Sequence, residues 1–284
     1  MASFFALLAL PLLLALVVTG ITYALFGLSL TAKRPPRFDR ACRGNVAAAL
    51  ARGVGTSLVS QLAMFLTYPL GPVIRARSRA RAAPGEPLVV CLHGLYHNRS
   101  AFLAIRPALV RNGLPQVLCL SYRCLRTDFE AEAVRLLATL RQDVSDQTPL
   151  LFLGHSLGGL FLRRILAEPD IGRRTLAAVT LGTPHRGSAL AALALGRLGR
   201  SLRPGDPLFA SLGALSDPPG VEFLALASPV DNMVIPLDGL DIGRPAWLEE
   251  TTQPVSHVAM LYHPAVISRA VGFLSRAART DGRK

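Results

Sequence analysis

Residues 154–159, with the sequence Gly-His-Ser-Leu-Gly-Gly, are the strongest constraint on how this chain folds. They stand between an apolar run at 149–153 and an apolar, helix-like segment at 160–166. Small residues at Gly154 and Gly158 allow a strand and a helix to approach one sharp turn. Such a turn strains the backbone of its central residue and exposes that side chain. The pattern therefore predicts a strand–turn–helix unit with Ser156 as a candidate nucleophile.

Apolar runs and helix-like segments alternate through the later two thirds of the chain. The run 88–92 is apolar throughout, as expected for a strand that is buried on both faces of a parallel sheet. Strands are predicted at 88–92, 116–120, 149–153, 176–181 and 223–227, with a short apolar stretch at 246–248, and helices at 99–112, 127–144, 160–166, 188–202 and 264–278. This order predicts an α/β fold with a doubly wound, mostly parallel sheet. Ligands bind such sheets at the carboxyl ends of the strands, where Ser156 lies.

The candidate partners of the serine are an aspartate and a histidine that follow it along the chain. A serine hydroxyl needs a base, and the base needs a carboxylate to orient it. Asp231 directly follows the fifth predicted strand and is the candidate acid, although an aspartate there also forms turns; Asp238 and Asp241 are the alternatives. His257 lies between the last strand and the final helix and is the candidate base. His263 is predicted to begin that helix instead.

Two backbone N–H groups are candidates for stabilising an oxyanion. One belongs to Leu157, directly after the candidate nucleophile, and the other to Leu95 in the loop after the first strand. Gly94 in that loop allows the backbone to approach a substrate. His93 could act as a second base, but we expect it to shape this loop through its own hydrogen bonds.

The segment 182–188 also ends a predicted strand at the same edge of the sheet. It contains His185 and could line the site or orient the loop of the candidate acid. The alternative is a turn made of glycine and proline that leads into a helix.

The N-terminal segment 3–30 contains no charged residue and is longer than the roughly 20 residues of a membrane-spanning helix. It lacks the charged start and the short apolar region of a cleaved signal peptide, so we predict an uncleaved anchor at 1–30. Residues 1–86 hold ten Lys and Arg against two acidic residues, a net charge of +8, and the remainder has +5 of the total +13. We therefore expect the basic excess to lie beside the membrane and to contact anionic lipid.

Residues 31–85 are predicted to connect the anchor to a catalytic domain at 86–280. The segment 31–37 is a basic, proline-broken linker, and a basic run with Arg75, Arg77, Arg79 and Arg81 leads to the boundary. Between these, residues 54–74 carry no charge and are predicted either to span the membrane or to form an interfacial helix that packs on the bilayer or on the domain.

The number of spans decides the side of the membrane on which the domain lies. With one span, the positive-inside rule leaves the domain in the cytoplasm, whereas two spans place it outside. The composition, with 29 Arg and 2 Lys, suggests a GC-rich bacterial genome and hence a bacterial inner membrane.

Composition and spacing also argue against several kinds of site. The four cysteines, at positions 42, 91, 119 and 124, show neither a zinc-site spacing nor a disulfide framework. No nucleic-acid recognition motif accompanies the basic residues, so we expect no nucleic-acid partner. A dinucleotide-binding turn is excluded because Ser156 stands where G-x-G-x-x-G has its middle glycine.

Five segments together resemble the bacterial lipase and esterase branch of the α/β-hydrolase superfamily: 92–95, 154–159, 182–188, 231–236 and 255–258. The resemblance covers about residues 86–280. It implies Ser156 as nucleophile, Asp231 as acid, His257 as base, and Leu95 and Leu157 as oxyanion donors. The chain has no room for the first two strands of the usual fold, so it resembles the minimal lipases with a sheet of about six strands. It shows no sizeable cap insertion, and 190–215 is the one segment that could cover the site.

The resemblance and the apolar N-terminus together lead to one principal hypothesis. The chain is expected to be a membrane-anchored serine hydrolase, of lipase or esterase type, that cleaves carboxylic esters of apolar acyl groups, such as lipids, without a cofactor or metal. Two alternatives stay open: a thioesterase or acyltransferase with the same triad, and a non-catalytic membrane scaffold that retains the fold.

Overall fold

The computed structural model describes residues 2–32, 34–42, 44–76 and 85–281. Its centre is a sheet of six parallel strands in the order β2-β1-β3-β4-β5-β6. The strands are β1 (Leu88–Leu92), β2 (Val117–Leu120), β3 (Leu150–His155), β4 (Thr175–Leu181), β5 (Glu222–Ala227) and β6 (Trp247–Thr251). The predicted α/β fold with a mostly parallel sheet is confirmed.

Ten α-helices occur in the described residues. They are α1 (Ala2–Ala32), α2 (Pro36–Cys42), α3 (Val46–Thr67), α4 (Ile105–Arg111), α5 (Phe129–Asp143), α6 (Leu157–Leu166), α7 (Pro169–Gly172), α8 (Gly196–Arg200), α9 (Pro207–Ala214) and α10 (Pro264–Asp281). Short 3-10 turns occupy Tyr68–Leu70, Arg99–Phe102, Ala189–Leu193, Leu237–Leu240 and Val258–Leu261.

Both faces of the sheet are covered by helices, and β1 shows how its residues divide between them. Leu88, Val90 and Leu92 pack into the cluster that holds the buried sides of α5 and α6. Val89 and Cys91 point to the other face, into the cluster that holds α4 and α10. Successive side chains of a strand point to opposite faces, so an entirely apolar strand is buried twice.

One predicted element differs from the structure. The single helix predicted over 188–202 is wrong: a 3-10 turn at Ala189–Leu193 is followed by the short helix α8. The break occurs because Gly196 adopts a φ of +78°, which a continuous helix does not allow. Within the predicted linker 31–37, α1 continues to Ala32 and α2 begins at Pro36.

Helices α1, α2 and α3 form a third apolar cluster with the loop that follows β5. Phe26 of α1 and Phe38 of α2 are fully buried there, with ring centroids 6.3 Å apart. They pack around Val230 and Ile235 of that loop. The N-terminal helices are therefore packed against the sheet domain. Burial of one such aromatic side chain is worth about 2–3 kcal/mol.

Two helical segments are long and apolar enough to cross a membrane, by length and composition alone. They are Ala9–Ala32, with a mean hydropathy of 2.2, and Val46–Leu70, with 1.3. The second segment begins earlier than the uncharged stretch 54–74 and includes Arg52. Large apolar side chains on both segments face outward, among them Leu10, Leu13 and Val59. The basic boundary residues Arg77, Arg79 and Arg81 lie outside the described residues.

Candidate active site

Ser156 occupies the sharp turn between β3 and α6. Its φ of +56° and ψ of −126° lie in a region that non-glycine residues rarely adopt. Its backbone N–H donates to the carbonyl oxygen of Leu181 on β4 at 2.8 Å. The Thr183 hydroxyl donates to the Ser156 carbonyl oxygen at 3.0 Å. The strained turn is therefore held from the neighbouring strand, as the sequence pattern predicts.

The glycines around Ser156 leave space that backbone atoms occupy. A Cβ at Gly158 would lie 2.1 Å from the carbonyl oxygen of Leu92. A Cβ at Gly154 would lie 2.7 Å from the backbone of Gly159. The backbone atoms of strand β1 and helix α6 cannot move aside cheaply, so both positions require glycine.

We expect Gly158→Ala to lower the free energy of unfolding by about 3 kcal/mol, since the added methyl group overlaps the β1 backbone. Gly272→Ala is the matched control, because a Cβ at this position inside α10 meets nothing within 4 Å. There we expect a gain of about 1 kcal/mol from helix propensity. Denaturant unfolding of the detergent-solubilised chains measures both effects, and equal stabilities would contradict this account of the turn.

Asp231 and His257 lie together at the carboxyl end of the sheet. The Nδ1 atom of His257 lies 2.7 Å from Oδ2 of Asp231, and both side chains are buried. The other oxygen, Oδ1, accepts hydrogen bonds from the backbone N–H groups of Met233 and Val234, at 2.9 and 3.0 Å. These bonds fix the carboxylate, so that Oδ2 orients the imidazole.

The alternative acids and the alternative base have other surroundings. Asp241 pairs with Arg37 of α2, and Asp238 lies in the 3-10 turn Leu237–Leu240. His263 is half-buried, lies within 2.9 Å of the Gln253 amide nitrogen, and precedes α10. Of the candidates, the structure brings Asp231 and His257 into contact with each other.

The loop after β1 lies against the candidate nucleophile. A Cβ at Gly94 would come within 3.1 Å of the Ser156 Cβ, so the backbone that leads to Leu95 passes beside the serine. Leu157 begins α6, where the first N–H groups of a helix have no partner within it. Both candidate oxyanion donors therefore belong to segments that adjoin Ser156.

His93 contributes to the shape of this loop. Its Nδ1 lies 2.8 Å from the Gly94 carbonyl oxygen, and its ring stacks on Tyr122 with centroids 4.2 Å apart. Complete burial lowers the pKa of His93 to about 3, so the ring is neutral at pH 7 and a poor base. These contacts agree with the expected role in the loop.

A search against protein-family profiles matches residues 89–278 to the family described as "Alpha/beta hydrolase family". This match covers more than half of the chain. The chain belongs to the alpha/beta hydrolase family. Comparison with curated protein sequences gave no match.

Solved structures agree with this hydrolase fold. The mature lipase BlEst2 of Bacillus licheniformis superposes with a TM-score of 0.58 at 17% identity, over 68% of this chain and 94% of that one. An alpha/beta hydrolase superfamily protein of Enterococcus faecalis gives 0.51 at 20% identity, over 70% and 93%. A mutant of the esterase E40 gives 0.51 at 18% identity, over 86% and 99%. At these identities the similarity shows the fold alone.

In this hydrolase, the segment 182–188 contacts the loop of Asp231. The Ser188 hydroxyl donates to the Met233 carbonyl oxygen at 2.8 Å and accepts from the Ile235 N–H at 3.0 Å. Gly182, with a φ of +56°, lies so close that a Cβ would come within 3.0 Å of Asp231 Oδ2. The segment is therefore more than a turn, because Gly182 and Ser188 contact the loop that carries Asp231.

His185 of the same segment lies away from these contacts. Its Nε2 is 3.3 Å from the Thr180 hydroxyl, and its ring packs edge-on against Trp247 of β6. Burial, followed by the nearby positive charge of Arg163, holds the pKa of His185 well below its usual value. We infer that it supports the packing of the turn rather than touching the substrate.

Two further buried polar residues, not assigned from the sequence, contact His257. His155 brings its Nε2 within 3.1 Å of the His257 carbonyl oxygen, and burial keeps the pKa of His155 well below its usual value. Asn232 accepts a hydrogen bond from the His257 N–H at 3.2 Å. Their places beside Ser156 and Asp231 in the sequence are a signal that could have found them.

A rim of exposed apolar side chains adjoins the loop after β1. The Tyr96 hydroxyl donates to the Leu195 carbonyl oxygen at 2.5 Å, and Tyr96 adopts a strained φ of +57°. Leu193 and Leu195 are each about two-thirds exposed, and Leu125 lies beside the following residue, Gly196. Part of the segment 190–215 therefore borders the site with an apolar surface.

Within 2–32, 34–42, 44–76 and 85–281, no group of three or more histidine, cysteine or carboxylate side chains is placed to hold a metal ion.

Proposed function

We propose that this hydrolase is a membrane-anchored serine esterase or lipase that cleaves carboxylic esters of apolar acyl groups. The observation that carries the proposal is the buried hydrogen bond between Asp231 and His257, at the sheet edge where Ser156 is held in a strained turn. A carboxylate, an imidazole and a strained serine hydroxyl at one edge form the arrangement that acyl transfer requires.

The proposed mechanism assigns one role to each of these groups. The Ser156 oxygen attacks the ester carbonyl carbon while Nε2 of His257 takes its proton, and Asp231 stabilises the resulting imidazolium. The N–H groups of Leu95 and Leu157 hold the oxyanion. The C–O bond to the alcohol then breaks, and His257 gives the proton to the leaving oxygen. Water, activated by His257, hydrolyses the acyl-serine and releases the acid.

One observation supports an apolar substrate. The exposed side chains of Tyr96, Leu125, Leu193 and Leu195 border the segment of the candidate oxyanion donor Leu95. An apolar surface beside a catalytic serine suits an acyl chain or a lipid surface better than a charged acid. The same triad would also serve a thioesterase or an acyltransferase, so the leaving group is part of the test below.

The contacts of α3 support one membrane span rather than two. The Thr56 hydroxyl accepts a hydrogen bond from the Ser256 N–H at 3.0 Å, and Ser60 contacts the Ser256 hydroxyl. A spanning α3 would carry these loops, next to His257, to the depth of the bilayer core, where polar backbone is costly. We infer that α3 lies on the membrane surface, and that α1 is the span. By the positive-inside rule the catalytic domain is then cytoplasmic.

One labelling experiment tests both chemistry and location. We expect a membrane-impermeant fluorophosphonate to leave the protein unlabelled in intact bacterial spheroplasts and to label it once they are permeabilised. Mass spectrometry is expected to find the label on the peptide that contains Ser156. Purified protein should then hydrolyse p-nitrophenyl esters of medium acyl chains at least tenfold faster than matched acyl thioesters.

Each arm has a contrary outcome. Label on another serine contradicts the assigned nucleophile, and no label at all supports the non-catalytic scaffold. Labelling of intact spheroplasts indicates an external domain and hence a second span. A preference for thioesters assigns the alternative activity.

A further inference from the structure

The N-terminal helix α1 contacts the residue that follows the candidate catalytic acid. Asn232, with 1% of its surface exposed, directs its amide nitrogen to the Thr22 hydroxyl of α1 at 2.7 Å. A second partner, the Ser57 hydroxyl of α3, lies at 3.4 Å. The oxygen of the same amide accepts a hydrogen bond from the backbone N–H of His257 at 3.2 Å. One side chain thus joins the two apolar helices to the backbone of the candidate base.

The hydroxyl of Thr22 is oriented to accept a hydrogen bond from Asn232. It donates to the Val18 carbonyl oxygen at 2.7 Å, one turn earlier in α1, and so presents a lone pair to Asn232. Thr22 is itself buried. A buried N–H group that lacks an acceptor destabilises the conformation that buries it. The orientation of the Asn232 amide therefore depends on the Thr22 hydroxyl oxygen.

Other polar contacts dock the same face of α1 and α3 on the catalytic loops. The Tyr23 hydroxyl donates to the Val230 carbonyl oxygen at 2.9 Å, directly before Asp231. Tyr23 reaches it across Gly53 of α3, where a Cβ would come within 2.4 Å of the Tyr23 oxygen. Thr19 and Ser57 join their hydroxyls at 3.0 Å. The two helices therefore meet each other and the acid loop through one buried polar surface.

We propose that α1 is a permanent part of the catalytic apparatus, in which Thr22 acts through Asn232 to position His257. This inference rests on the proposed function, since it concerns the geometry of that triad. Its consequence is that α1 is retained in the mature protein. Cleavage after Thr22 would remove the partner of Asn232 at 2.7 Å, and cleavage after Phe26 would also uncover Val230 and Ile235.

The length of α1 agrees with a double role. Residues 2–18, which precede the polar contacts, make about 25 Å of helix. The hydrocarbon core of a bilayer is about 30 Å thick. Residues 2–18 are at the lower end of the range of about 17–25 residues for a spanning helix, so the first half of α1 can lie in the bilayer while its second half holds the catalytic loops at the membrane surface.

Three variants of the full-length protein in detergent test the positioning role. Thr22→Val removes the hydroxyl and preserves the shape of the side chain, and Thr22→Ser restores the hydroxyl. Thr31→Val is the matched control, because the Thr31 hydroxyl also donates one turn back along α1, to Leu28, but is exposed. We expect Thr22→Val to lower kcat and the fluorophosphonate labelling rate about tenfold with KM unchanged. The reason is that His257 transfers a proton in the reaction and does not bind the acyl chain. Thr22→Ser and Thr31→Val should stay within twofold of the wild type.

The labelling rate is measured per active site, so partial unfolding does not imitate the effect. Loss of folded protein lowers the final extent of labelling, whereas a displaced His257 lowers its rate. A wild-type rate in Thr22→Val would overturn the proposal. So would a mature chain whose N-terminus, measured by intact mass, lies beyond Thr22.

Hydrogen exchange provides a measurement that does not depend on activity. We expect peptides over 228–236 and 254–261 to exchange faster in Thr22→Val than in Thr31→Val. Equal exchange contradicts this inference whether or not the protein takes the label. Wild-type protein that takes no label contradicts the proposed function instead, so the two failures are distinguishable.

Discussion

Ser156→Ala is expected to lower kcat for ester hydrolysis by about 10⁶-fold, the loss typical of removing the nucleophile of a serine triad. Without the Ser156 oxygen no acyl-serine forms, and His257 and the N–H donors can assist only direct attack by water. The strained turn tolerates the change, because alanine is smaller than serine and the φ of +56° is imposed by its neighbours. Hydrolysis of a p-nitrophenyl ester by the purified variant measures the effect.

Ser211→Ala serves as the matched control for this measurement. Ser211 is exposed on α9, and its hydroxyl donates only to the Pro207 carbonyl oxygen of the same helix. We expect its activity to equal that of the wild type. If Ser156→Ala kept more than about one hundredth of the wild-type kcat, a different nucleophile would have to be sought.

Asp231→Asn is expected to lower kcat by about 10⁴-fold, as in another serine triad with this change. The carboxylate uses one oxygen for two backbone N–H groups and the other for Nδ1 of His257. An amide can supply only one oxygen, so its NH₂ group must face either the backbone donors or the imidazole. In the second arrangement the NH₂ group donates to Nδ1, so the imidazole carries its proton on Nε2. That nitrogen then cannot accept the proton of the Ser156 hydroxyl.

Asp241→Asn is the control, since Asp241 was an alternative candidate for the acid. It lies in an ion pair with Arg37 of α2, so its loss removes a partly exposed charge pair worth at most about 1 kcal/mol. We expect kcat within threefold of the wild type. A larger loss in Asp241→Asn than in Asp231→Asn would reverse the assignment of the acid.

The core of the fold followed from local patterns. β1 is apolar along its whole length and β3 is apolar as far as Leu153, because helices cover both faces, and this pattern is visible in the sequence. β6 was harder to predict, since it lies at the edge of the sheet and carries the exposed Glu249 and the half-buried Glu250. Only Trp247 of this strand is buried, so a short apolar stretch was its one signal.

Local pattern also failed where a segment owes its shape to distant atoms. The predicted helix at 188–202 is interrupted at Gly196, which lies against the backbone of Leu125. The basic, proline-broken linker at 31–37 contains the first residue of α2, Pro36, a position where proline is favoured. Contacts of α2, with Phe38 buried and Arg37 paired to Asp241, stabilise that helix.

The sequence by itself determined the strand–turn–helix at Ser156 and the order of candidate groups along the chain, because glycine spacing and buried strands depend on neighbouring residues. Only the tertiary structure decided which aspartate and which histidine meet, since that pairing joins loops of different strands. It also decided that Asn232 and Thr22 are neighbours, although 210 positions separate them. The apolar composition of α1 predicts a membrane helix. The role of its few hydroxyl groups depends on their contacts with distant residues, which only the tertiary structure shows.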